Sequence, residues 1–274
     1  MRIDEALSWA QATLINSESP LLDAQVLLAF TLKKETIYLM TWPERLLTPD
    51  LIEQFKALIT LRLEGRPVAH LTGVREFWSL PLKVNDSTLI PRPDTEILVE
   101  VALEKSTQDS YILDLGTGTG AIIFALASEL PKSTCLGVDL SQDAVDLACE
   151  NRKNLGLEQV QIKQSSWFEN VDGHFDLIVS NPPYIESNDV HLKHGDVRFE
   201  PLSALVANNK GLSAFQIIAE QAPAFLNKGG YLVFEHGYEQ ASAVQDILTY
   251  NSFSHVETRQ DYAGNDRVTL GKLC

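Results

Sequence analysis

Residues 114–120 read Asp114-Leu-Gly-Thr-Gly-Thr-Gly120, at the end of an apolar, strand-like run and directly before a run of helical spacing. The three glycines let the backbone turn sharply and approach a ligand where a Cβ atom would intrude. Nineteen residues after Gly120, Asp139 ends the next strand-like run, where a carboxylate can accept both hydroxyls of an adenosine ribose. The segment therefore predicts a binding loop for a ligand that contains adenosine.

Two classes of adenosine ligand satisfy this loop. Gly116-x-Gly118-x-x-Ala121 also fits the dinucleotide fingerprint, so a nicotinamide or flavin cofactor is a competing interpretation. The acidic residue Asp114 before the loop and the lack of a clear second nucleotide-binding half favour S-adenosylmethionine. Trp167, which follows the third strand-like run, is expected either against the adenine face or in the core.

A second motif, Asn181-Pro182-Pro183-Tyr184, directly follows the apolar run Phe175–Ser180. Two consecutive prolines cannot extend a β-ladder, so the strand must end there and expose its tip. The Asn181 side-chain oxygen and the Pro182 carbonyl could each accept one N–H bond of a planar NH2 group, with its lone pair turned toward a donor methyl. Tyr184 offers a flat face for an amide or an aromatic ring. The motif thus predicts methylation of an amide-like nitrogen, and the alternative is an ordinary proline turn.

The segment Ile90-Pro-Arg-Pro-Asp-Thr-Glu96 is an extended stretch fixed by two prolines. One interpretation is that it folds over the cofactor or the acceptor through Arg92 or Glu96. The alternative is that these charged residues form a structural salt bridge.

Strand and helix patterns alternate beyond residue 110. Helical patterns occupy residues 121–130 and 142–155. Strand-like runs occupy residues 111–115, 134–140, 160–163, 175–180, 231–235, 254–257 and 267–270. Such alternation predicts a mostly parallel α/β sheet with helices on both faces, whose ligand sites lie at the carboxyl ends of strands. Both motifs lie at such ends.

The first 65 residues read as short helices. Ser19-Pro20 and Thr48-Pro49 each place an N-cap hydroxyl before a proline suited to a first helical turn. The pattern after Gly73 is aromatic and alternating, which favours a hairpin over a helix. We therefore predict an N-terminal helical domain at residues 1–72, a hairpin linker at 73–90 and an S-adenosylmethionine-dependent methyltransferase domain at 91–274. The helical domain either docks a partner or serves structural packing alone.

The chain has a formal net charge of -15, and nearly all of that charge lies in residues 76–274. Such a domain would repel a phosphate backbone, so we expect no direct nucleic-acid binding. No apolar run approaches the length of a membrane span, and residues 1–5 lack the pattern of a secretory signal. We therefore expect a cytoplasmic protein without membrane contact. Cys135, Cys149 and Cys274 lack the spacing of a zinc site, so they are read as free thiols and no metal is expected.

Further motifs extend along the chain: Leu71-Thr-Gly73 with Phe77, Leu89–Glu96, Glu200-Pro201, Gly211-Leu212, Glu235-x-Gly237 and Asp261-x-x-Gly264-x-x-Arg267. With the two motifs above, the chain resembles the release factor glutamine methyltransferases of the PrmC/HemK type nearly end to end. The resemblance implies a class I methyltransferase fold, Rossmann-like with a seven-stranded, mostly parallel sheet, and a small N-terminal helical domain joined by a β-hairpin linker. Relatives that methylate a glutamine of a ribosomal large-subunit protein share the acceptor motif, but Ile90–Glu96 resembles the release factor branch.

The reaction that the resemblance implies is methylation of the side-chain nitrogen (N5) of the glutamine in the Gly-Gly-Gln motif of class I peptide chain release factors. The implied cofactor is S-adenosylmethionine, and the enzyme is expected to be a monomer. The implied glutamine contacts are Asn181, Pro182, Pro183 and Tyr184. The implied cofactor contacts are Gly116, Thr117, Gly118, Thr119, Gly120, Asp139, Trp167 and Asn181.

Two other functions remain open on the sequence alone. An adenine-N6 nucleic-acid methyltransferase could hold an exocyclic ring amine with the same motif, although the net charge disfavours it. A non-catalytic binding module for release factors or ribosomes could use the helical N-terminal part, although the intact glycine loop and acceptor motif disfavour that.

Overall fold

The computed structural model describes residues 1–193 and 195–274. These residues form two compact units: Met1–Val74 with Lys193–Phe199, and Arg75–Leu192 with Glu200–Cys274. Within the described part of the chain, every helix is too short or too polar to cross a membrane.

The first unit is helical. Its helices are α1 (Ile3–Thr13), α2 (Pro20–Leu32), α3 (Thr36–Thr41), α4 (Pro49–Leu63) and α5 (Val68–Thr72). Thr48 caps α4 as predicted, because its hydroxyl accepts from the backbone N–H of Leu51 at 3.4 Å. Ser19 does not cap α2. Its hydroxyl instead donates to the Asp23 carboxylate at 2.9 Å.

The strands β1 (Val74–Phe77) and β2 (Leu80–Lys83) form a two-stranded sheet. The second unit is built on a larger sheet, whose strands are β3 (Tyr111–Leu115), β4 (Thr134–Asp139), β5 (Gln161–Gln164), β6 (Phe175–Ser180), β7 (Leu226–Glu235), β8 (Phe253–Gln260) and β9 (Asp266–Leu273). Its helices are α6 (Glu96–Glu104), α7 (Ala121–Glu129), α8 (Gln142–Leu155), α9 (Leu202–Leu205), α10 (Asn208–Gly211), α11 (Ser213–Gln221) and α12 (Ala241–Tyr250).

The sheet has seven strands in the order β5-β4-β3-β6-β7-β9-β8. The first five run parallel, and β9 is antiparallel to both β7 and β8. The predicted fold class is therefore confirmed. The chain goes from β3 to β4 on one side and later returns to β6 on the other side. This reversal opens a crevice at the carboxyl ends of β3 and β6, where ligands bind in sheets of this kind.

Both faces of the sheet are covered by apolar packing. Ile112 of β3 packs in a cluster with Leu98 and Phe124, whereas its neighbour Leu113 packs with Phe215 and Phe234. Adjacent residues of a strand point to opposite faces, so a strand buried on both faces is apolar at consecutive positions. Each such side chain contributes about 1.5–3 kcal/mol by burial. This packing fixes the strand ends that carry the candidate site.

Candidate active site

The glycine loop connects β3 to α7. The backbone N–H groups of Gly116 and Thr117 both donate to the Val138 carbonyl at 2.9 Å, which ties the loop to β4. Gly116, Gly118 and Gly120 have φ values of 75°, 55° and 84°. These left-handed conformations favour glycine because a side chain would be strained there. The sharp turn predicted from the sequence therefore has a direct backbone cause.

Asp139 ends β4 beside this loop. Its Oδ2 accepts from the N–H of Gly118 and its Oδ1 from the N–H of Ser141, both at 2.9 Å. Burial raises the pKa of Asp139, and the backbone hydrogen bonds counteract part of that rise. A carboxylate oxygen has two lone pairs, so each oxygen that takes one backbone donor keeps capacity for a ligand hydroxyl.

Asp114 is the penultimate residue of β3, just before the loop. Its side chain is fully buried, and Oδ2 accepts a 2.6 Å hydrogen bond from the Thr117 hydroxyl. Burial raises the pKa of Asp114 to about 7, and the charge of Asp139 adds to the rise. Asp114 therefore holds the glycine loop in place through its hydrogen bond with Thr117.

A cavity of about 440 Å³ lies at the crevice, and most of its lining is apolar. Eight of the predicted residues line it: Gly116, Thr117, Gly118, Thr119, Asp139, Trp167, Asn181 and Pro183. Gly120, Pro182 and Tyr184 do not line it. Trp167 also packs against the apolar cluster on one face of the sheet, which agrees with the core alternative, and its contact with adenine stays a prediction. An ideal Cβ on Gly116 would lie 3.8 Å from the Trp167 ring, which shows how closely loop and ring approach.

The acceptor motif begins where β6 ends. The Ser180 hydroxyl donates to the Leu115 carbonyl at 2.7 Å and joins the ends of β6 and β3. The Asn181 Nδ2 then donates to the Thr95 hydroxyl at 3.4 Å. The Tyr184 carbonyl accepts from Gln240 Nε2 at 3.1 Å, and burial, followed by the charge of Glu235, raises the pKa of the Tyr184 phenol. The two motifs thus stand at adjacent strand ends.

The segment before α6 contributes residues that sequence reasoning missed. Thr88, Pro91 and Thr95 line the cavity, whereas Arg92 and Glu96 do not. Arg92 instead forms a salt bridge with the buried Glu200 at 2.7 Å, and Glu96 accepts from the backbone N–H of Trp78 at 3.0 Å. The salt-bridge alternative is therefore correct for Arg92. The two prolines could have indicated that this segment is extended and passes close to the cavity. They could not have indicated which of its side chains face the cavity.

Thr88 carries a polar atom that the fold leaves unused. Its side chain is buried, and among the described residues its Oγ1 has no hydrogen-bond partner. A buried hydroxyl without a partner costs free energy unless a ligand or water satisfies it. The unpaired hydroxyl of Thr88 therefore indicates that this cavity binds a polar ligand.

Comparisons with known proteins match both parts of the chain. Residues 5–73 match the family described as PrmC N-terminal domain, and residues 106–268 match the family described as methyltransferase domain. A release factor glutamine methyltransferase of Vibrio cholerae is 55% identical over 259 residues, which cover 93% of this chain and 91% of that protein. One of Aliivibrio fischeri is 52% identical over 263 residues, which cover 95% of this chain and 93% of that protein.

A solved methyltransferase structure from Pyrococcus furiosus is similar in fold. It aligns with a TM-score of 0.56 and 17% identity, and covers 78% of this chain and 95% of that chain. At that identity, the likeness supports the fold alone.

Proposed function

Because the chain belongs to the release factor glutamine methyltransferases, we propose that it transfers a methyl group from S-adenosylmethionine to a release factor glutamine. The acceptor is the side-chain nitrogen (N5) of the glutamine in the Gly-Gly-Gln motif of class I peptide chain release factors. The observation that carries the proposal is the position of Asn181 at the end of β6, lining the same cavity as the glycine loop at the end of β3.

The cavity residues fit S-adenosylmethionine. The glycine loop offers close backbone approach, Asp139 keeps acceptor capacity for the ribose hydroxyls, and Trp167 presents a ring at the cavity wall. Thr88 offers a buried hydroxyl that still needs a partner. Gly120 acts differently, because it sets the turn into α7 without lining the cavity. We assign the cofactor contacts to Gly116, Thr117, Gly118, Thr119, Asp139, Trp167 and Asn181.

The task of the acceptor motif is to hold an amide nitrogen, which is a poor nucleophile because its lone pair is delocalised into the carbonyl. Asn181 Oδ1 and the Pro182 carbonyl each accept one N–H of the glutamine, so the lone pair turns toward the methyl group. Both acceptors also raise the electron density on the nitrogen as it attacks.

Held by the glycine loop, Asp139 and Trp167, S-adenosylmethionine would supply a methyl group on a positively charged sulfur. The nitrogen lone pair would form the N–C bond, and the electron pair of the broken C–S bond would stay on sulfur. The nitrogen then carries the positive charge, and one of its protons leaves to water. Asn181 and Pro182 therefore need no strong base beside them before transfer. The apolar lining favours the step, because the charge on sulfur is lost as the bond breaks.

Pro183 and Tyr184 shape the site around the two acceptors. Pro183 lines the cavity. The partly buried Tyr184 follows it, and its ring would offer a flat face to the glutamine amide. The helical part of the chain, with the predicted boundary at residue 72, is the proposed docking domain for the release factor. Its extent is close to the 5–73 match.

The net charge of -15 supports a protein substrate over a nucleic acid. We further propose a cytoplasmic monomer, as the resemblance to the release factor glutamine methyltransferases implies. The same net charge disfavours the adenine-N6 alternative, because it would repel the phosphate backbone.

The test is transfer of labelled methyl from S-adenosylmethionine to a purified release factor, with the label located by mass spectrometry. We expect a single methylated residue, the glutamine of Gly-Gly-Gln, and loss of labelling when that glutamine is changed to Glu. Asn181→Ala should nearly abolish turnover while cofactor binding stays measurable, and Asn154→Ala, at an exposed position of α8, serves as the matched control. Label found elsewhere on the release factor, or full activity of Asn181→Ala, contradicts the proposal.

A further inference from the structure

Glu235 is a buried carboxylic acid that the mechanism above does not use. It ends β7, and only 2% of the residue is exposed. Strand β7 pairs with β6 so that Phe234 lies opposite Ser180, which places Glu235 beside Asn181 at the same edge of the sheet. Among the described residues, its Oε2 has no hydrogen-bond partner. Burying a carboxyl group with an oxygen that has no hydrogen-bond partner costs free energy, so its position beside the acceptor motif suggests a role there.

The hydrogen bonds around Glu235 have a fixed direction. The side chains of Thr95 and Asn181 lie beside its carboxylate, and hydrogen bonding to them lowers the pKa of Glu235, which favours the charged form. An ionised carboxylate can only accept. The Thr95 hydroxyl therefore donates its single hydrogen to Glu235. Its oxygen accepts from Asn181 Nδ2, which lies 3.4 Å away. Both neighbours of the Asn181 amide on this side are acceptors.

This direction decides which end of the Asn181 amide is available to a substrate. The oxygen and nitrogen of an asparagine side chain lie on opposite sides of Cγ, and a half-turn of the amide exchanges them. With Nδ2 held by Thr95 and Glu235, Oδ1 points away from them. The proposed reaction needs Oδ1, because a glutamine N–H requires an acceptor. In a reversed amide, the NH2 group of Asn181 would face the NH2 group of the glutamine, and neither could accept.

Burial and the neighbouring groups shift the pKa of Glu235 in opposite directions. Burial raises the pKa of Glu235 to about 7, and the charge of Asp94 raises it further, whereas Arg267 and the Thr95 and Asn181 hydrogen bonds lower it. Arg267 is held in turn by Asp261 at 3.1 Å and Asp94 at 3.4 Å. Tyr184 faces the same group from the acceptor loop. The carboxyl group can therefore change charge near neutral pH.

We propose that Glu235 is a positioning residue for the transfer: through Thr95 and directly, its carboxylate orients the Asn181 amide so that Oδ1 receives the glutamine N–H. This inference rests on the proposed function of Asn181. A protonated Glu235 carries an O–H that can donate to Asn181 Oδ1, and so it permits the reversed, inactive amide. Ionisation of Glu235 then switches the acceptor motif into its active orientation.

The test compares Glu235→Gln with the wild-type enzyme and with Glu239→Gln, an exposed position four residues along the chain. Glutamine keeps the volume of glutamate but can donate to Asn181. We expect kcat of Glu235→Gln to fall about 10- to 100-fold, with the dissociation constant for S-adenosylmethionine unchanged within about threefold. Glu239→Gln should match the wild type. In the wild type, kcat should rise between about pH 6 and about pH 8 as Glu235 ionises, and this rise should vanish in Glu235→Gln.

A second pair of variants separates orientation from folding. Thr95→Ser keeps the hydroxyl and should retain much more activity than Thr95→Val, which removes it, while both bind the cofactor. Wild-type kcat and an unchanged pH profile in Glu235→Gln would overturn the role of Glu235 and leave the proposed function standing. Absence of release factor methylation by the wild-type enzyme itself would overturn both.

Discussion

The backbone N–H of Gly118 donates a 2.9 Å hydrogen bond to Oδ2 of Asp139. This bond joins the glycine loop after β3 to the end of β4, and it aligns the Asp139 carboxylate along the cavity wall. The loop and the carboxylate are therefore coupled, so a substitution in either should change the affinity for a ligand that contacts both.

Asp139→Asn should weaken S-adenosylmethionine binding about 10- to 100-fold. The amide keeps one acceptor oxygen, so its NH2 group must face either a backbone N–H or a ribose hydroxyl that had donated to the carboxylate. Loss of a hydrogen bond to a charged group costs about 1.5–3 kcal/mol. Titration calorimetry measures the effect, with Asp172→Asn, whose side chain is 96% exposed, as the control. Unchanged affinity in Asp139→Asn would remove Asp139 from the cofactor site.

Gly120→Ala should destabilise the protein by about 2–4 kcal/mol, which sums a left-handed backbone penalty and steric overlap. Its Cβ would lie 2.0 Å from the ring of Phe124, which is fully buried. Gly156 has a similar φ of 69° but open space around its Cβ, so Gly156→Ala should cost only about 1 kcal/mol. Urea denaturation of both variants isolates the steric part. Equal losses in the two variants would show that the contact with Phe124 does not matter.

Asn151→Leu should cost about 2–5 kcal/mol of stability and should also weaken cofactor binding. Asn151 is fully buried on α8. Its Oδ1 accepts from the N–H of Lys83 at 2.7 Å, and its Nδ2 donates to the carbonyls of Lys83 and Thr119, each at 3.0 Å. The variant leaves these backbone groups unpaired beside the glycine loop. Thermal unfolding and calorimetry check both effects, with the exposed Asn154→Ala as the comparison. Wild-type stability would contradict this interpretation.

The stability of the protein should fall as pH rises through the range in which Asp114 ionises. Because burial raises its pKa to about 7 from an ordinary value of 3.8, the folded state keeps a proton that the unfolded state has already lost. Its contribution is fully present below about pH 4 and is lost as pH rises through about 7. The loss amounts to about 4 kcal/mol, because a pKa difference of one unit corresponds to about 1.4 kcal/mol. Asp114→Asn should therefore be more stable relative to wild type at about pH 8 than at about pH 5, by urea denaturation. A constant difference at the two pH values would argue against the raised pKa.

Much of the sheet could be predicted from the sequence because short apolar runs bounded by turn residues are typical of strands that are buried on both faces. Strands β3 and β6 match the predicted runs at both ends. Strand β7 begins earlier than predicted, at Leu226, because Asn227-Lys-Gly-Gly230 reads as a turn. The register shift between Phe175 and Leu177 accommodates this irregular stretch. A local pattern cannot predict such a bulge, since it depends on the neighbouring strand.

The site was predictable where chemistry is concentrated in a short motif, and not where it depends on distant residues. The glycine loop and Asn181 fall into the first class. Thr95 and Glu235 fall into the second, because they lie 86 and 54 residues from Asn181 and meet it only at the sheet edge. One signal was available: Glu235, like Asp114 and Asp139, places a carboxylate at the end of an apolar strand.

The grip of the acceptor motif on the glutamine can be seen in a structure of the enzyme with S-adenosylhomocysteine and a peptide containing Gly-Gly-Gln. We expect the glutamine NH2 group to donate to Asn181 Oδ1 and to the Pro182 carbonyl, with its nitrogen facing the cofactor sulfur across the space of one methyl group. A glutamine held by other residues, or a sulfur remote from Asn181, would contradict it.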